Sequence, residues 1–221
     1  MIWENINPGT GAQRPLLVTL LLSSGIVGSS LFTVFYMVEA SLAPGFNSMQ
    51  QAISDLELVK NGWLQSANFI MLGFFMVMFA IGLYLELKRG ILAIMLPVFQ
   101  GLVASGLIFS GLFIHDPFHM IASMIAFISL VIGFFLFAWL FYNDNRWKGW
   151  ATYSIVSAIL MMTLLALFGI SKNSGGPAGL YERLAVAVRS LWSLLFTVKV
   201  MCGARLSQPK EQKVAQVIKT K

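Results

Sequence analysis

Long apolar runs separated by short polar stretches dominate the chain. Six such runs lie at roughly 15–38, 63–87, 91–114, 118–141, 150–170 and 184–203. Each is about as long as the ~20 apolar residues that a helix needs to cross a bilayer. The pattern predicts an all-α polytopic membrane bundle of six transmembrane helices. The domain organisation that follows is a polar head, a six-helix transmembrane domain and a basic tail, at 1–14, 15–204 and 205–221.

The longest polar connection, residues 39–62, carries a second periodic signal. Its apolar positions recur at three- and four-residue spacing, at Phe46, Met49, Ile53 and Leu56. This spacing is typical of one face of a short amphipathic helix, which we expect to lie at the membrane surface in the first outer loop. The opposite, polar side of this helix would carry Ser54, Asp55 and Glu57.

The composition agrees with a membrane protein and excludes several other classes. Hydrophobic residues make up 57% of the chain and charged residues 11%, against about 25% charged residues in soluble domains. The single cysteine, Cys202, excludes an intramolecular disulfide framework and a cysteine metal cluster. Because the basic residues flank apolar spans rather than forming one soluble face, nucleic-acid binding is disfavoured. Membrane lipids are the partners that this composition indicates.

The basic residues are distributed unevenly between the two ends of the predicted helices. Ten of the fifteen fall on the side of the termini, namely Arg14, Lys88, Arg89, Arg146, Lys148, Arg205, Lys210, Lys213, Lys219 and Lys221. The opposite side has Lys60, Lys172 and Arg183. The positive-inside rule then predicts cytoplasmic termini in a prokaryotic plasma membrane, with the other side facing outward.

Polar side chains from several spans fall at a similar depth near this outer side. Polar groups in hydrocarbon are costly unless they face the bundle interior or water. We therefore expect one shared, outward-facing polar pocket. Its candidate ligand-binding residues are Asp55, Asp116, His119, Glu182, Arg183 and Arg189.

Arg189 is the deepest of these candidates. It lies six residues beyond Arg183, so about 9 Å deeper along a helix. An arginine at that depth needs a partner, and the candidate acids are Asp55, Asp116 and Glu182. Three interpretations stay open: a structural ion pair, binding of an anionic headgroup or substrate, and snorkelling of the side chain to the interface.

The two histidines of the chain form a candidate metal site. His115 and His119 are four residues apart and flank Asp116, and a third ligand from Asp55 or Glu57 would complete a zinc site with an open position. Pro117 interrupts helical geometry between the histidines. Plain hydrogen-bonded loop histidines are the alternative.

Three short motifs resemble the domain of unknown function 998 family. They are Ile53-Ser54-Asp55-Leu56, the Phe-x-x-Asp-x-x-His pattern at Phe113, Asp116 and His119, and Glu182-Arg183 at the opening of the last helix. The resemblance implies a six-helix membrane protein of bacteria or archaea, and it points to Asp55, Asp116, His119 and Arg183. A fainter likeness is to eukaryotic membrane proteins linked to lipid handling and autophagy. The family has no established activity, so the resemblance implies no chemistry.

Three functions remain open at this point. The first is non-catalytic binding of a lipid headgroup or small anion, in a sensing, regulatory or carrier role. The second is a metal-dependent lipid hydrolase, and the third is a small transporter. Two histidines are few ligands for a hydrolase, and transporters usually have helices broken near mid-membrane, whereas here only Pro97 interrupts a span. Non-catalytic binding therefore needs the fewest features that the sequence does not show. Whether the protein is an enzyme stays open.

Overall fold

The computed structural model describes residues 14–87, 89–114 and 117–206. Within these residues the chain forms six α-helices and no strand, and each helix is long and apolar enough to cross a membrane. The helices are α1 (Leu16–Leu42), α2 (Trp63–Glu86), α3 (Leu92–Leu112), α4 (Phe118–Phe141), α5 (Trp150–Ser174) and α6 (Ala178–Met201). The predicted fold class is confirmed. The predicted head and tail lie outside the described residues, apart from Arg14 and residues 205–206.

Two helix ends differ from the bounds that the apolar runs predict. Helix α1 continues to Leu42, so Glu39 belongs to the helix rather than to the loop. Helix α6 begins at Ala178, six residues before the predicted start, and its first turns therefore contain Glu182 and Arg183. Both extensions add polar turns at the same end of the bundle.

The helices pack as a ring in chain order, and α6 returns to contact α1. We call the end of the bundle with residues 14–15, 89–91, 142–149 and 202–206 the terminal face. The opposite end, with residues 43–62, 113–114 and 175–177, is the loop face. Small residues let α1 approach α2 closely: a Cβ on Gly28 would lie 2.5 Å from the Cβ of Phe75.

The half of the bundle near the terminal face has a dense aromatic core. Trp147 stacks on Phe141 with ring centroids 4.3 Å apart, and Phe137 lies 4.6 Å from Trp192. Phe196 continues the cluster at 5.1 Å from Trp192. Such rings bury large apolar areas in fixed geometries, so this half of the molecule is well filled.

Residues 43–62, which we call the roof loop, cover the loop face. In place of the predicted amphipathic helix, the loop has turns and one five-residue 3-10 helix, Ser54–Leu58. The apolar pattern still predicts burial in part, since Ile53 and Leu56 are at most 1% exposed. Met49, however, is exposed, because the chain around it does not form the helical turns that would place it beside Ile53.

Candidate functional site

A cavity lies beneath the roof loop, in the half of the bundle near the loop face. Its walls come from α1, α2, α3, α4 and α6, and its volume is about 60 Å³. One water needs roughly 10–15 Å³ of such volume, so the cavity has room for about four to six waters. Most lining side chains are apolar; the polar ones are Ser54, Ser110, Ser123, Glu182 and Arg189.

Arg189 lies in the cavity wall and is 8% exposed. Its guanidinium donates to the hydroxyl of Ser29 and lies against the sulfur of Met76, which are both neutral groups. No acid within the described part of the chain lies at ion-pair distance from it. The expected pairs with Glu182 and Asp55 are therefore not formed, and the third candidate, Asp116, lies outside the described residues.

Glu182 lines the same cavity, closer to the loop face. It is 6% exposed, and its Oε2 accepts a hydrogen bond of 2.5 Å from the backbone N–H of Ile53. This bond ties the roof loop to α6. Val186 lies between Glu182 and Arg189 on the lining face, which confirms that these α6 positions share one side of the helix.

Arg183 is not part of the cavity wall; it holds the roof loop. Its Nη1 donates to the backbone oxygens of Gln51 and Gly179, at 3.0 and 2.9 Å. Its guanidinium carbon lies 5.7 Å from the ring centroid of Tyr36 and 5.9 Å from that of Phe46, within the range of cation–π attraction. The structure therefore gives Arg183 an anchoring position.

Backbone contacts reinforce this attachment of the roof loop to α6. The N–H groups of Gly179 and Leu180 donate to the carbonyl oxygens of Gln50 and Met49, at 3.2 and 3.0 Å. These are first-turn donors that a helix leaves without internal partners. Asp55 also acts inside the loop, where it accepts a 2.7 Å hydrogen bond from the N–H of Ala52.

His119 lies behind the cavity, among three oxygen acceptors. Its Nδ1 is 3.0 Å from the carbonyl oxygen of Ser110, 3.1 Å from that of Phe113 and 3.3 Å from Oε2 of Glu57. Since carbonyl oxygens only accept, the neutral imidazole carries its proton on Nδ1, and Nε2 keeps its lone pair. His119 would therefore bind a metal, or accept a proton, through Nε2.

The predicted zinc site gains no third ligand from the described residues. Within them, no group of three or more His, Cys, Asp and Glu side chains is placed to hold a metal ion. His115 and Asp116 lie outside the described residues. Glu57 contacts Nδ1 of His119, the nitrogen that carries the proton, and Asp55 accepts a hydrogen bond from the backbone of the roof loop. The zinc site built on His115, Asp116 and His119 stays a prediction.

Glu57 is a residue whose burial is not predicted from the sequence. It was expected on the polar side of a surface helix, but it is only 6% exposed, and its Oε1 accepts a 3.1 Å hydrogen bond from Ser66. Burial raises the pKa of the Glu57 carboxyl to about 7; the Ser66 hydrogen bond opposes this rise and the charge of Glu39 adds to it. No local signal predicts the burial, because Ser66 and His119 come from α2 and α4.

Several other buried polar atoms near the loop face have no hydrogen-bond partner within the described chain. They are Oε1 of Glu39, Nε2 of Gln65, Oδ1 of Asn68 and Nη2 of Arg183. Buried polar groups are nearly always bonded in folded proteins. This end of the bundle therefore holds an unusual amount of unused hydrogen-bonding capacity.

A family model described as "Protein of unknown function (DUF998)" matches residues 26–199. The match begins within α1 and ends two residues before the end of α6, and it includes α2 to α5, the roof loop and every candidate site residue named above. No curated protein and no solved structure matches the chain.

Proposed function

The chain belongs to this family of proteins of unknown function, and we propose that it is a membrane protein that binds an anionic lipid headgroup or a small anion in the cavity beneath the roof loop. The binding is non-catalytic and serves a sensing, regulatory or carrier role. Arg189 provides the positive charge that the anion meets.

The observation that supports this proposal is the state of the Arg189 guanidinium. It is a full charge inside an apolar bundle, and its partners in the described chain are a hydroxyl and a thioether. An ionised group that is buried without an opposite charge is strongly unfavourable. A phosphate or carboxylate in the cavity would supply that charge, and the planar fork of arginine suits both groups.

The cavity walls favour binding over chemistry. The lining side chains include Ser110 and Ser123, whose hydroxyls are 3.0 Å apart, but no histidine, cysteine or lysine within the described chain. A serine nucleophile needs an adjacent base, and His119 is not among the lining residues. The small volume agrees with a headgroup or a small anion.

The test is ligand-induced thermal stabilisation of the purified protein in detergent. Dihexanoyl phosphatidic acid and inorganic phosphate are the two probes, and they distinguish a lipid from a free anion. We expect at least one probe to raise the Tm of wild type and of Arg189→Lys, which keeps the charge. Arg189→Gln should lose most of this rise, because it removes the charge that meets the anion.

Lys172→Gln is the matched control, because Lys172 is an exposed cation at the loop face that does not line the cavity. It should respond to the probe as wild type does. An equal response of Arg189→Gln and wild type, or no response of wild type to either probe, would contradict the proposal.

The orientation of the bundle is part of the proposal. Because basic residues concentrate at the terminal face, we place both termini in the cytoplasm and the cavity toward the outside of a prokaryotic plasma membrane. In a Cys202→Ser background, Ser174→Cys should react with a membrane-impermeant maleimide added to intact cells, and Lys148→Cys should be protected. The reverse labelling pattern would invert the topology.

A further inference from the structure

The cavity contains a carboxyl group and a guanidinium group that do not pair with each other. Arg189 and Glu182 both line it and are both buried. They lie on the same face of α6, seven residues apart, and therefore about 10 Å apart along the helix axis. No ion pair joins them.

Each of the two groups also has incomplete hydrogen bonding. Glu182 uses Oε2 to accept from Ile53, and within the described chain its Oε1 has no donor. Arg189 contacts only neutral groups there. An anion at Arg189 alone would leave the carboxyl of Glu182 with no cation at ion-pair distance within the described chain, and a buried charge is most costly without such a contact.

We propose that the ligand is a zwitterion, with an acidic group that binds Arg189 and a primary ammonium that binds Glu182. This inference rests on the proposed function, which supplies the acidic group of the ligand, and it adds the ammonium group. The phosphoethanolamine group carries an acidic group and a primary ammonium of this kind.

The order of the two charges along α6 agrees with a lipid headgroup. Glu182 is nearer the loop face and Arg189 is deeper. In an ethanolamine phospholipid of the adjoining leaflet, the phosphate likewise lies nearer the hydrocarbon and the ammonium nearer the water. A volume of about 60 Å³, or about four to six waters, has room for the phosphate or carboxylate end of such a ligand. A free ω-amino acid would present the same chemistry.

The experiment compares three matched soluble probes by equilibrium binding to the full-length protein in detergent. Phosphoethanolamine carries both charges, ethyl phosphate lacks the amine, and ethanolamine lacks the phosphate. We expect wild type to bind phosphoethanolamine at least about tenfold more tightly than either fragment, as a hydrogen bond to a buried charge implies. A second comparison uses dihexanoyl phosphatidylethanolamine and 4-aminobutyrate. Tighter binding of the first would identify the ligand as a lipid, and tighter binding of the second would identify it as a free zwitterion.

Glu182→Gln is the decisive variant, because the amide oxygen can still accept from Ile53 while the negative charge is gone. In this variant phosphoethanolamine and ethyl phosphate should bind equally. Glu39→Gln is the matched control, since Glu39 is a half-buried acid of the same face that does not line the cavity, and it should keep the preference for phosphoethanolamine.

Two results would overturn the inference separately from the proposed function. If wild type binds ethyl phosphate as tightly as phosphoethanolamine, or if the preference survives in Glu182→Gln, the ligand is not recognised as a zwitterion. In either case binding that still depends on Arg189 would leave the anion site intact. Failure of all probes, lipid forms included, would overturn both.

Discussion

The two ends of the bundle treat buried charge in opposite ways. At the terminal face, Glu86 accepts from Nε and Nη2 of Arg14 at 3.1 and 2.7 Å, and from the backbone N–H of Leu206 at 3.2 Å. Arg205 lies 3.5 Å from the same carboxylate. Arg14 also donates to the carbonyl oxygens of Val200 and Ala204. This group links both ends of the described chain to α2, and each of its charges lies within ion-pair distance of an opposite charge.

In the half of the bundle near the loop face, by contrast, Arg189 contacts no acid of the described chain, and Glu182 accepts its hydrogen bond from a backbone N–H and has no cation at ion-pair distance there. The same bundle therefore satisfies charges where they hold the fold together and leaves them unmatched around a cavity. Locally unfavourable arrangements of this kind are expected at functional sites. The comparison indicates a structural role for the Glu86 group and supports the proposed binding role of Arg189.

The largest effect that this comparison predicts is at Glu86. Removing one partner of a buried ion pair typically costs about 3–5 kcal/mol, because the other charge is stranded. Glu86→Ala should therefore lower the free energy of unfolding in detergent by about that amount. The double variant Arg14→Leu with Glu86→Leu should recover a large part of the loss. If the double variant instead loses as much stability as Arg14→Leu and Glu86→Leu lose together when measured singly, the two residues do not act as a pair.

The second prediction concerns pH and Glu57. Its pKa is about 7 in the fold against an ordinary 4.5, so the folded state binds the proton more tightly than the unfolded state between these values. Stability should therefore fall as pH rises from about 4.5 to about 7, by on the order of 3 kcal/mol at most. The groups that face Glu57 are Glu39 from α1, Ser66 from α2 and His119 from α4.

Glu57→Gln isolates this contribution. It keeps an acceptor for Ser66 and cannot ionise, so its unfolding free energy should vary less with pH over this window than that of wild type. The measurement is denaturant unfolding in detergent at several pH values. A slope as steep as that of wild type would mean that Glu57 does not carry the pH dependence.

The apolar runs predict the bundle well because lipid and core both select the same long hydrophobic segments. The start of α6 is less predictable, since its first N–H groups are satisfied by the carbonyls of Met49 and Gln50, more than a hundred residues earlier in the chain. The roof loop shows the same limit. Periodicity predicts the burial of Ile53 and Leu56, but the contact with Glu182 and the docking of Glu57 on α2 and α4 decide the local conformation.

The candidate site is also only partly predictable from the sequence. Polar residues at one depth predict a shared site, and the structure brings Glu182 and Arg189 together in one cavity. It separates Arg183, Asp55 and His119 from that cavity, because a few ångströms of side-chain direction decide whether a residue lines a cavity or anchors a loop. Residue type and spacing along a helix do not predict which of these two positions a side chain takes.

The unfolding free energy of ligand-free Arg189→Met tests the central claim most directly. Methionine replaces the arginine stem without the charge, and Ser29 keeps its own hydrogen bond to the carbonyl oxygen of Gly25. If Arg189 serves a ligand rather than the fold, the variant should be as stable as wild type in lipid-free detergent, or more stable by up to about 3 kcal/mol. A loss of about 3 kcal/mol or more, like that expected for Glu86→Ala, would show that Arg189 is part of the structural framework and would contradict the account.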